Sequence, residues 1–168
     1  MTEDRELRQE MVALIPRLRR FAHGLCGNPT DAEDLVQIGL EKALSRLHQF
    51  KRGTRLDSWL FRIVQTSFLD DRRKASRRED GMDEATLERL PATQTQHDSS
   101  TPMGLRDIDR VLATLPEDHR VLLILVLVEG YSYQEAAEIT ETPIGTVMSR
   151  LSRGRKAFAA AYKEATHV

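Results

Sequence analysis

The apolar positions of the N-terminal third recur at steps of three and four residues, which is the spacing of an amphipathic helix. They predict a first helix over residues 4 to 25, ended by the sequence Gly27-Asn28-Pro29. Pro16 falls inside this stretch, and a proline in a helix interior removes a hydrogen bond and clashes with the preceding turn. We therefore expect a kink or a break near Pro16.

Two more helices follow with the same spacing. Thr30 and Glu33 have the spacing of a capping box and predict the start of a second helix, which extends to about Gln49. After a loop, either Asp57 or Ser58 is suited to cap a third helix, because both side chains can accept hydrogen bonds from the first backbone amides of a helix. The N-terminal part of the chain is thus predicted to be a small helical domain.

The helical periodicity fades from about Ser76 to Thr101, where Asp, Thr, Gln, Ser and Pro dominate. A polar segment of this composition is typical of a linker between domains. We therefore predict a helical domain over residues 1 to 76, a flexible linker over residues 77 to 106 and a second helical domain over residues 107 to 168. Within the linker, residues 84 to 90 could form one or two helical turns.

The second domain contains an apolar run from Val121 to Val128, which suits a buried strand or a buried helix equally well by periodicity. The start Pro116-Glu-Asp and the lack of a partner strand elsewhere favour a helix, with Pro116 at its first position. Gly130 ends that helix, Ser132 caps a short one, and the turn Glu141-Thr142-Pro143 leads to a long final helix. The predicted fold class is all-α, with two small helical domains.

Composition narrows the class of protein. Aromatic residues make up 5% of the chain and Gly and Pro are sparse, which disfavours a β-sandwich or a barrel. The single cysteine, Cys26, excludes an internal disulfide and fits a cytoplasmic location. No apolar run reaches the roughly 20 residues that a membrane helix needs, so no membrane span is expected. No catalytic triad, metal-ligand cluster or phosphate loop is evident, so we expect no enzyme activity, metal or cofactor.

Charge is concentrated locally, although the whole chain has a net charge of −1. Residues 72 to 78 contain five cations, and the stretch from Ile144 to Lys163 contains five cations and no acidic residue. Together with the short helix and the turn before it, this last helix has the dimensions of a helix-turn-helix, whose second helix reads the major groove of DNA. An ordinary helical hairpin with a solvated basic face is the alternative that the pattern leaves open. The near-neutral total argues against strong unaided binding to DNA.

Longer sequence blocks resemble the extracytoplasmic-function sigma factors of bacteria. In the second domain these blocks are LPEDHRVL at residues 115 to 122, EGYSYQEAAEI at 129 to 139 and PIGTVMSRLSRGR at 143 to 155. In the first domain they are DAEDLVQ at residues 31 to 37, and WLFRI through DDRR at 59 to 73. The first domain also looks similar to the general-stress sigma factors of alphaproteobacteria. The resemblance covers both domains in the order that the family has them.

The resemblance implies a partner for each block. The second helix would bind the clamp of the largest subunit of RNA polymerase core through Asp31, Glu33, Asp34, Leu35 and Gln37. The third helix and the loop before it would contact the minus-ten element of promoter DNA through Arg55, Ser58, Arg62, Thr66, Ser67, Asp70 and Arg73. The final helix would contact the minus-thirty-five element through Thr146, Met148, Ser149, Arg150, Ser152 and Arg153.

By this resemblance the chain is a sigma factor that starts transcription of stress-response genes and is controlled by an anti-sigma factor. Three positions depart from the family pattern. Thr66 stands where relatives usually have Asn, and Met148 where they have Lys or Arg. Glu141 stands where the turn usually has Gly, and a non-Gly residue with positive φ costs about 1 kcal/mol. We therefore expect either strain at Glu141 or a turn rebuilt around Pro143.

Two other functions remain open at this point. The chain could be a mimic that resembles a sigma factor only to sequester its anti-sigma factor, although known mimics carry an additional receiver domain that 168 residues do not show. It could also be a helix-turn-helix transcription regulator whose first domain binds a ligand or dimerises. The block at residues 31 to 37 argues against that regulator.

Overall fold

The computed structural model describes residues 1–80 and 103–166. Every regular element in these two ranges is helical and none is a strand, which confirms the predicted all-α fold. The α-helices are, in chain order, α1 (Thr2–Cys26), α2 (Pro29–Ser45), α3 (Leu56–Asp80), α4 (Met103–Thr114), α5 (Glu117–Leu123), α6 (Tyr133–Thr140) and α7 (Ile144–Thr166). The turns predicted at residues 84 to 90 lie outside the described residues.

Helix occupies a few residues at each end of the segment that composition predicts as a linker. Helix α3 continues to Asp80, and α4 already begins at Met103. The prolonged end of α3 carries the five cations of residues 72 to 78, all of them exposed. The N-terminal domain therefore consists of α1 to α3, and the C-terminal domain of α4 to α7.

Helix α1 runs without interruption through Pro16, so the predicted break does not occur. Met11 on one side of the proline and Leu18 and Leu25 on the other are buried in the same core. Packing along one face thus holds the two halves of the helix together and outweighs the hydrogen bond that proline removes. Gly27 ends α1 in the left-handed conformation with φ of 79°, as its position before Asn28 and Pro29 predicts.

The caps of α2 and α3 differ from the predictions. Helix α2 is capped by Asn28, whose Oδ1 accepts a hydrogen bond from the backbone amide of Asp31 at 2.9 Å, and Pro29 is the first helical residue. The predicted capping box of Thr30 and Glu33 is therefore wrong. Pro29 favours the first helical position, so the residue before it, Asn28, is the cap. Helix α3 begins at Leu56, so Asp57 and Ser58 lie in its first turn rather than at the cap.

The apolar run from Val121 to Val128 is helical, as predicted, but it is not one regular helix. Helix α5 changes after Leu123 into a π-helical segment, Ile124–Val128, and the amide of Glu129 donates to the carbonyl of Ile124 at 2.9 Å. Pro116 is the cap residue and not the first helical residue. The change of pitch determines where Glu129 and the residues after it point, and π-helical turns are frequent at functional sites.

The two domains share one continuous core. Buried apolar residues of α1, α2 and α3 form a single cluster with those of α5, α6 and α7. The ring of Phe61 in α3 lies 4.9 Å from that of Phe21 in α1 and 5.5 Å from that of Tyr131, which precedes α6. The chain is therefore in a closed arrangement in which α6 packs against α3. Within the described ranges, no helix combines the length and the apolar character needed to cross a membrane.

Candidate polymerase and nucleic-acid interfaces

The polymerase-binding residues predicted on α2 divide into an exposed acidic face and one core residue. Asp31, Glu33, Asp34 and Gln37 are exposed, whereas Leu35 is 4% exposed and packs in the core. Glu33 is held by Arg19 of α1, with nitrogen to oxygen distances of 3.0 and 3.1 Å. Asp34 has no ion-pair partner among the described residues, so its carboxylate is available to an external partner. Leu35 packs in the core beneath this face and is not accessible to a partner in this arrangement.

The minus-ten residues predicted on α3 do not form one accessible surface. Thr66 and Arg73 are exposed, and Asp70 is partly exposed, 3.9 Å from Arg73. Ser67 is 1% exposed, donates to the carbonyl of Ile63 and accepts from Lys42 Nζ at 3.1 Å. Because its hydroxyl is fully used inside the domain, Ser67 cannot contact DNA in this arrangement.

The remaining minus-ten candidates face the C-terminal domain. Arg55 is paired both with Asp57 beside it and with Glu135 of α6. Arg62 Nη2 donates to the backbone carbonyl of Glu138 at 2.8 Å. Ser58, in the first turn of α3, is partly exposed. Helix α6 therefore contacts both arginines of the predicted minus-ten surface, although their side chains remain 54% and 42% exposed.

Charged groups from α1, α3 and the segment before α6 meet in what we name the interdomain polar cluster, formed by Arg17, Arg20, Asp57, Glu129 and Tyr131. The side chain of Glu129 is 0% exposed and accepts from Arg17 Nε at 3.3 Å and from Arg20 Nε at 2.9 Å. Tyr131 Oη donates to Asp57 Oδ2 at 2.9 Å and accepts from Arg17 Nη2 at 3.1 Å. The cluster thus joins both domains through charge-assisted hydrogen bonds, which are stronger than neutral ones.

The shifted pKa values of Tyr131 and Asp57 keep both groups in the protonation states that form the hydrogen bonds of this cluster. Burial and the hydrogen bond to Asp57 raise the pKa of Tyr131 to about 12, so its phenol remains a donor at neutral pH. Burial alone would raise the pKa of Asp57, but hydrogen bonds from Arg55, Tyr131 and the amide of Ser58 outweigh it and lower that pKa. The carboxylate of Asp57 therefore stays ionised.

Arg120 is a buried cation that joins the ends of two helices. Its guanidinium donates to the carbonyls of Leu112, Ala113 and Leu115 around the end of α4, at 2.8, 3.2 and 3.0 Å. It also donates to the carbonyl of Leu25 near the end of α1, at 2.6 Å. Burial lowers its pKa, yet an arginine in contact with helix C-termini remains charged. Arg120 therefore links α5 to the end of α4 in its own domain and to the end of α1 in the N-terminal domain.

The helix-turn-helix of α6 and α7 is formed as predicted. Ser132 caps α6 and makes a reciprocal capping box with Glu135. Glu141 ends α6 in the left-handed conformation, with φ of 51° and ψ of 41°, so the predicted strain is present. On the inner side of α7, Val147 and Leu151 are buried and Phe158 is partly buried.

The predicted minus-thirty-five residues lie on the outer side of α7. Met148, Ser149, Ser152 and Arg153 are exposed, while Thr146 and Arg150 are partly exposed. Arg150 lies 3.9 Å from Asp118 of α5, and Ser149 Oγ donates to the carbonyl of Thr146 at 3.0 Å. Met148 is 53% exposed and places an apolar side chain among polar ones. The face that would enter a major groove is thus open to solvent in the closed chain.

Sequence reasoning missed the interdomain polar cluster and the role of Arg120. Arg17, Arg20 and Asp57 look like ordinary surface charges in the sequence, because nothing in a helical pattern distinguishes a solvated charge from a paired one. Arg120 offered a signal, since it directly precedes the apolar run that begins at Val121. A charge at such a position is buried only if it has several partners.

Comparison with known proteins gives the same two domains in the same order. Residues 11–78 match the family described as Sigma-70 region 2, and residues 105–158 match Sigma-70, region 4. The chain is 39% identical over 157 residues to the ECF RNA polymerase sigma factor EcfG of Rhodopseudomonas palustris, an alignment that covers 92% of this chain and 83% of that one.

Two solved structures are similar in fold. The sigma factor RpoE of Bartonella quintana, in complex with the anti-sigma factor NepR, is 34% identical with a TM-score of 0.78, covering 94% of this chain and 97% of that one. The anti-anti-sigma factor PhyR of the same organism, complexed with NepR, has a TM-score of 0.63 at 18% identity, covering 92% of this chain and 49% of PhyR. Since the match to EcfG is both long and specific, the chain belongs to the ECF RNA polymerase sigma factors.

Proposed function

We propose that this sigma factor docks on core polymerase through the exposed acidic face of α2, contacts the minus-ten element through α3 and reads the minus-thirty-five element through α7. The observation that carries the proposal is the position of these predicted residues. The acidic residues of α2 and the polar residues of α7 lie on outward faces that the core of the closed chain does not use. Such faces are free to bind partners without unfolding a domain.

The distribution of charge supports a protein partner for α2 and DNA as the partner of the two basic segments. Asp31 and Asp34 on α2 suit a basic protein surface and would repel phosphates. The five cations of residues 72 to 78 and the acid-free stretch from Ile144 to Lys163 suit the phosphate backbone on two separate sites. With a net charge of −1, the chain has little unspecific attraction to DNA, so promoter binding would depend on the polymerase that positions both domains.

We further propose that an anti-sigma factor controls this chain and that its promoters serve a stress response. The relative RpoE of Bartonella quintana is 34% identical and was solved with the anti-sigma factor NepR. The exposed apolar residues Leu127 and Val128 of the π-helical segment, 57% and 53% exposed, offer contact area to such a partner.

Run-off transcription with core polymerase and the promoter of the chain's own gene tests the function. We expect a promoter-dependent transcript from the unchanged chain. Asp34→Asn is expected to weaken core binding by about tenfold, because it removes an exposed charge at the centre of the docking face. Glu10→Gln is the matched control, since Glu10 is an exposed carboxylate on α1, away from that face.

The same experiment separates the alternatives. A chain that binds an anti-sigma factor but gives no transcript would be a mimic, the function suggested by the fold similarity to PhyR. A chain whose core binding is unaffected by Asp34→Asn, but which binds duplex DNA tightly without polymerase at physiological salt, would be a helix-turn-helix regulator. Both outcomes would contradict the proposed use of α2.

A further inference from the structure

The outward face of α7 carries an apolar side chain among polar ones. Residues three, four and seven positions apart share one face of a helix, and Gly145, Met148, Ser149 and Ser152 have this spacing. All four are exposed, and Met148 is 53% exposed. We name these four residues the groove face, because the N-terminal part of the second helix of a helix-turn-helix contacts base edges in the major groove.

Packing inside the chain does not account for Met148. The core takes Val147 and Leu151 from this part of α7, and these side chains are 0% and 1% exposed. Met148 belongs neither to the buried cluster nor to the partly buried apolar residues that pack against it. Single exposed apolar residues are common on protein surfaces, so the meaning of Met148 comes from its position on the groove face.

Gly145 leaves open space on the same face, one helical turn before Met148. A Cβ at Gly145 would meet no atom of the chain within 4 Å, and its φ lies outside the left-handed region. Neither packing nor backbone conformation therefore requires a glycine here, although glycine stabilises a helix less than alanine does. A helix without a Cβ at this position allows its backbone to lie closer to a bound duplex.

The chemistry of the major groove indicates what an apolar side chain can recognise there. Base edges present hydrogen-bond donors and acceptors in this groove, and thymine adds its C5-methyl group, which is apolar. The side chain of methionine is long, unbranched and polarisable, so it adapts to a small apolar group. Ser149 and Ser152 lie beside Met148 and can bond phosphates or the polar edges of neighbouring bases.

We propose that Met148 is a specificity-determining residue that packs on the methyl group of a thymine in the minus-thirty-five element, and that Gly145 lets α7 approach the duplex closely enough for this contact. The inference rests on the proposed function, because it requires α7 to read that element. Burial of one methyl group changes the affinity by about fourfold. The contact involves no charge, so this factor should not depend on salt, in contrast to contacts with phosphate.

The central experiment replaces thymine by uracil, because deoxyuridine differs from thymidine only in lacking the C5-methyl group. The full-length chain is assembled with core polymerase, and the Kd for the promoter of the chain's own gene is measured by fluorescence anisotropy. Each thymine of the minus-thirty-five element, on either strand, is replaced singly by deoxyuridine. We expect at least one replacement to weaken binding about fourfold, by the same factor at about 50 and about 200 mM salt.

Two variants with matched controls assign the contact to its residues. Met148→Ala should abolish the difference between thymine and deoxyuridine, whereas Val12→Ala, at a 64% exposed apolar residue of α1, should retain it. Gly145→Ala should weaken promoter binding about fourfold by lifting Met148 from the methyl group, while the midpoint of urea unfolding stays the same or rises. Gly104→Ala, also at the second residue of a helix and with open space around the new Cβ, should leave promoter binding unchanged.

Several results would overturn this readout. An element without thymine, or one in which no deoxyuridine weakens binding, overturns the methyl contact. A difference that persists in Met148→Ala assigns the methyl group to another residue. Unchanged promoter affinity in Gly145→Ala, or a loss accompanied by lower stability, overturns the close approach.

Replacement of the whole minus-thirty-five element separates the two proposals. If this replacement leaves the Kd of the assembled polymerase unchanged, the proposed function of α7 is wrong and the readout with it. If it weakens binding whereas no deoxyuridine does, only the methyl readout is wrong.

Discussion

Helices α3 and α7 both carry residues predicted to contact promoter DNA, but the two surfaces differ in how far they are open to solvent in the closed chain. On α7 the polar face with Ser149, Ser152 and Arg153 is open to solvent. On α3 the predicted surface is divided, since Thr66 and Arg73 are exposed whereas Arg62 is bonded to the carbonyl of Glu138. The same helix-turn-helix thus presents its second helix outward and contacts α3 through its first helix, α6.

The difference shows that availability for binding is not a property of a helix by itself. The basic character of α3 and α7 is similar in the sequence, yet α6 contacts two arginines of the α3 surface, whereas on α7 Arg150 makes a 3.9 Å ion pair with Asp118 and Ser149, Ser152 and Arg153 remain exposed. The contacts on α3 use a backbone carbonyl and a carboxylate of α6, groups that bind arginine as phosphate oxygens do. The predictions below test this contrast, from the largest expected effect to the smallest.

Removing the buried cation that joins the domains should have the largest effect. Arg120→Met leaves the carbonyls that it bonds near the ends of α4 and α1 without their donor. Buried acceptors without partners cost about 1 to 3 kcal/mol each, and water can reach some of them, so we expect the free energy of unfolding to fall by about 3 kcal/mol. Urea unfolding followed by circular dichroism measures this. A loss below about 1 kcal/mol, the range of an exposed position such as Arg153→Gln, would show that the carbonyls are solvated.

A cation added to the open surface should act even without polymerase. Met148→Lys places a cation on the exposed face of α7, so the affinity of the free chain for a minus-thirty-five duplex should rise about tenfold at low salt, and log K against log salt should steepen by about 0.9. Arg62→Gln should leave the free chain's affinity for a minus-ten duplex unchanged, because Arg62 is already occupied. Ala160→Lys, farther along α7, controls for charge alone. Equal gains from Met148→Lys and Ala160→Lys would contradict a specific surface on α7.

The strained turn between α6 and α7 should be improvable. Glu141→Gly relieves a left-handed conformation that costs a non-Gly residue about 1 kcal/mol and loses only an exposed 3.7 Å pair with Arg62. We expect the free energy of unfolding to rise by about 1 kcal/mol at most. Glu138→Gly, inside α6, should instead lower it by a similar amount. If Glu141→Gly is destabilising, the pair with Arg62 contributes more to closure than its exposure indicates.

The smallest effect should be a pH dependence at the edge of the interface. His23 Nε2 of α1 lies 3.1 Å from Asp109 Oδ2 of α4, and this hydrogen bond raises the pKa of His23 although burial opposes it. A raised pKa means that the contribution is complete below 6.5, the ordinary value, and is lost as the pH rises through the folded pKa. Closure should thus weaken slightly as the pH rises from below 6.5 through that raised pKa. An NMR titration of His23 measures its pKa, and the dependence should vanish in His23→Gln.

Much of the fold could be predicted because the signals for a helix lie within its own sequence and the few residues at its ends. The period of apolar residues marks α1, α6 and α7, and Ser132 and Gly27 mark an end of a helix by the backbone conformation that they favour. Local rules were less successful where two signals compete. Thr30 and Asn28 both suit a cap, and Pro29 decides between them by its fixed φ. Pro16 predicted a break that packing on both of its sides prevents.

The resemblance proposes which residues form the candidate surfaces, but it does not predict which of their side chains are accessible. The resemblance located Asp34 on α2 and Arg153 on α7, and the structure places both side chains outward. It also selected Leu35 and Ser67, which are buried. In α2 and α3 the apolar and polar positions are not clearly separated onto two faces. The sequence pattern therefore does not distinguish an exposed contact residue from the core residue next to it.

The sequence by itself determined the helices, the order of the two domains and the membership of the family, since periodicity, turn residues and motif blocks are all short-range properties. Only the tertiary structure decided that Glu129 is enclosed by Arg17 and Arg20, that Arg120 joins two helix ends, and that α6 lies on α3. The physical reason is distance along the chain. These partners are separated by about 70 to 110 residues, and a charge carries no local mark of the distant group that will neutralise it.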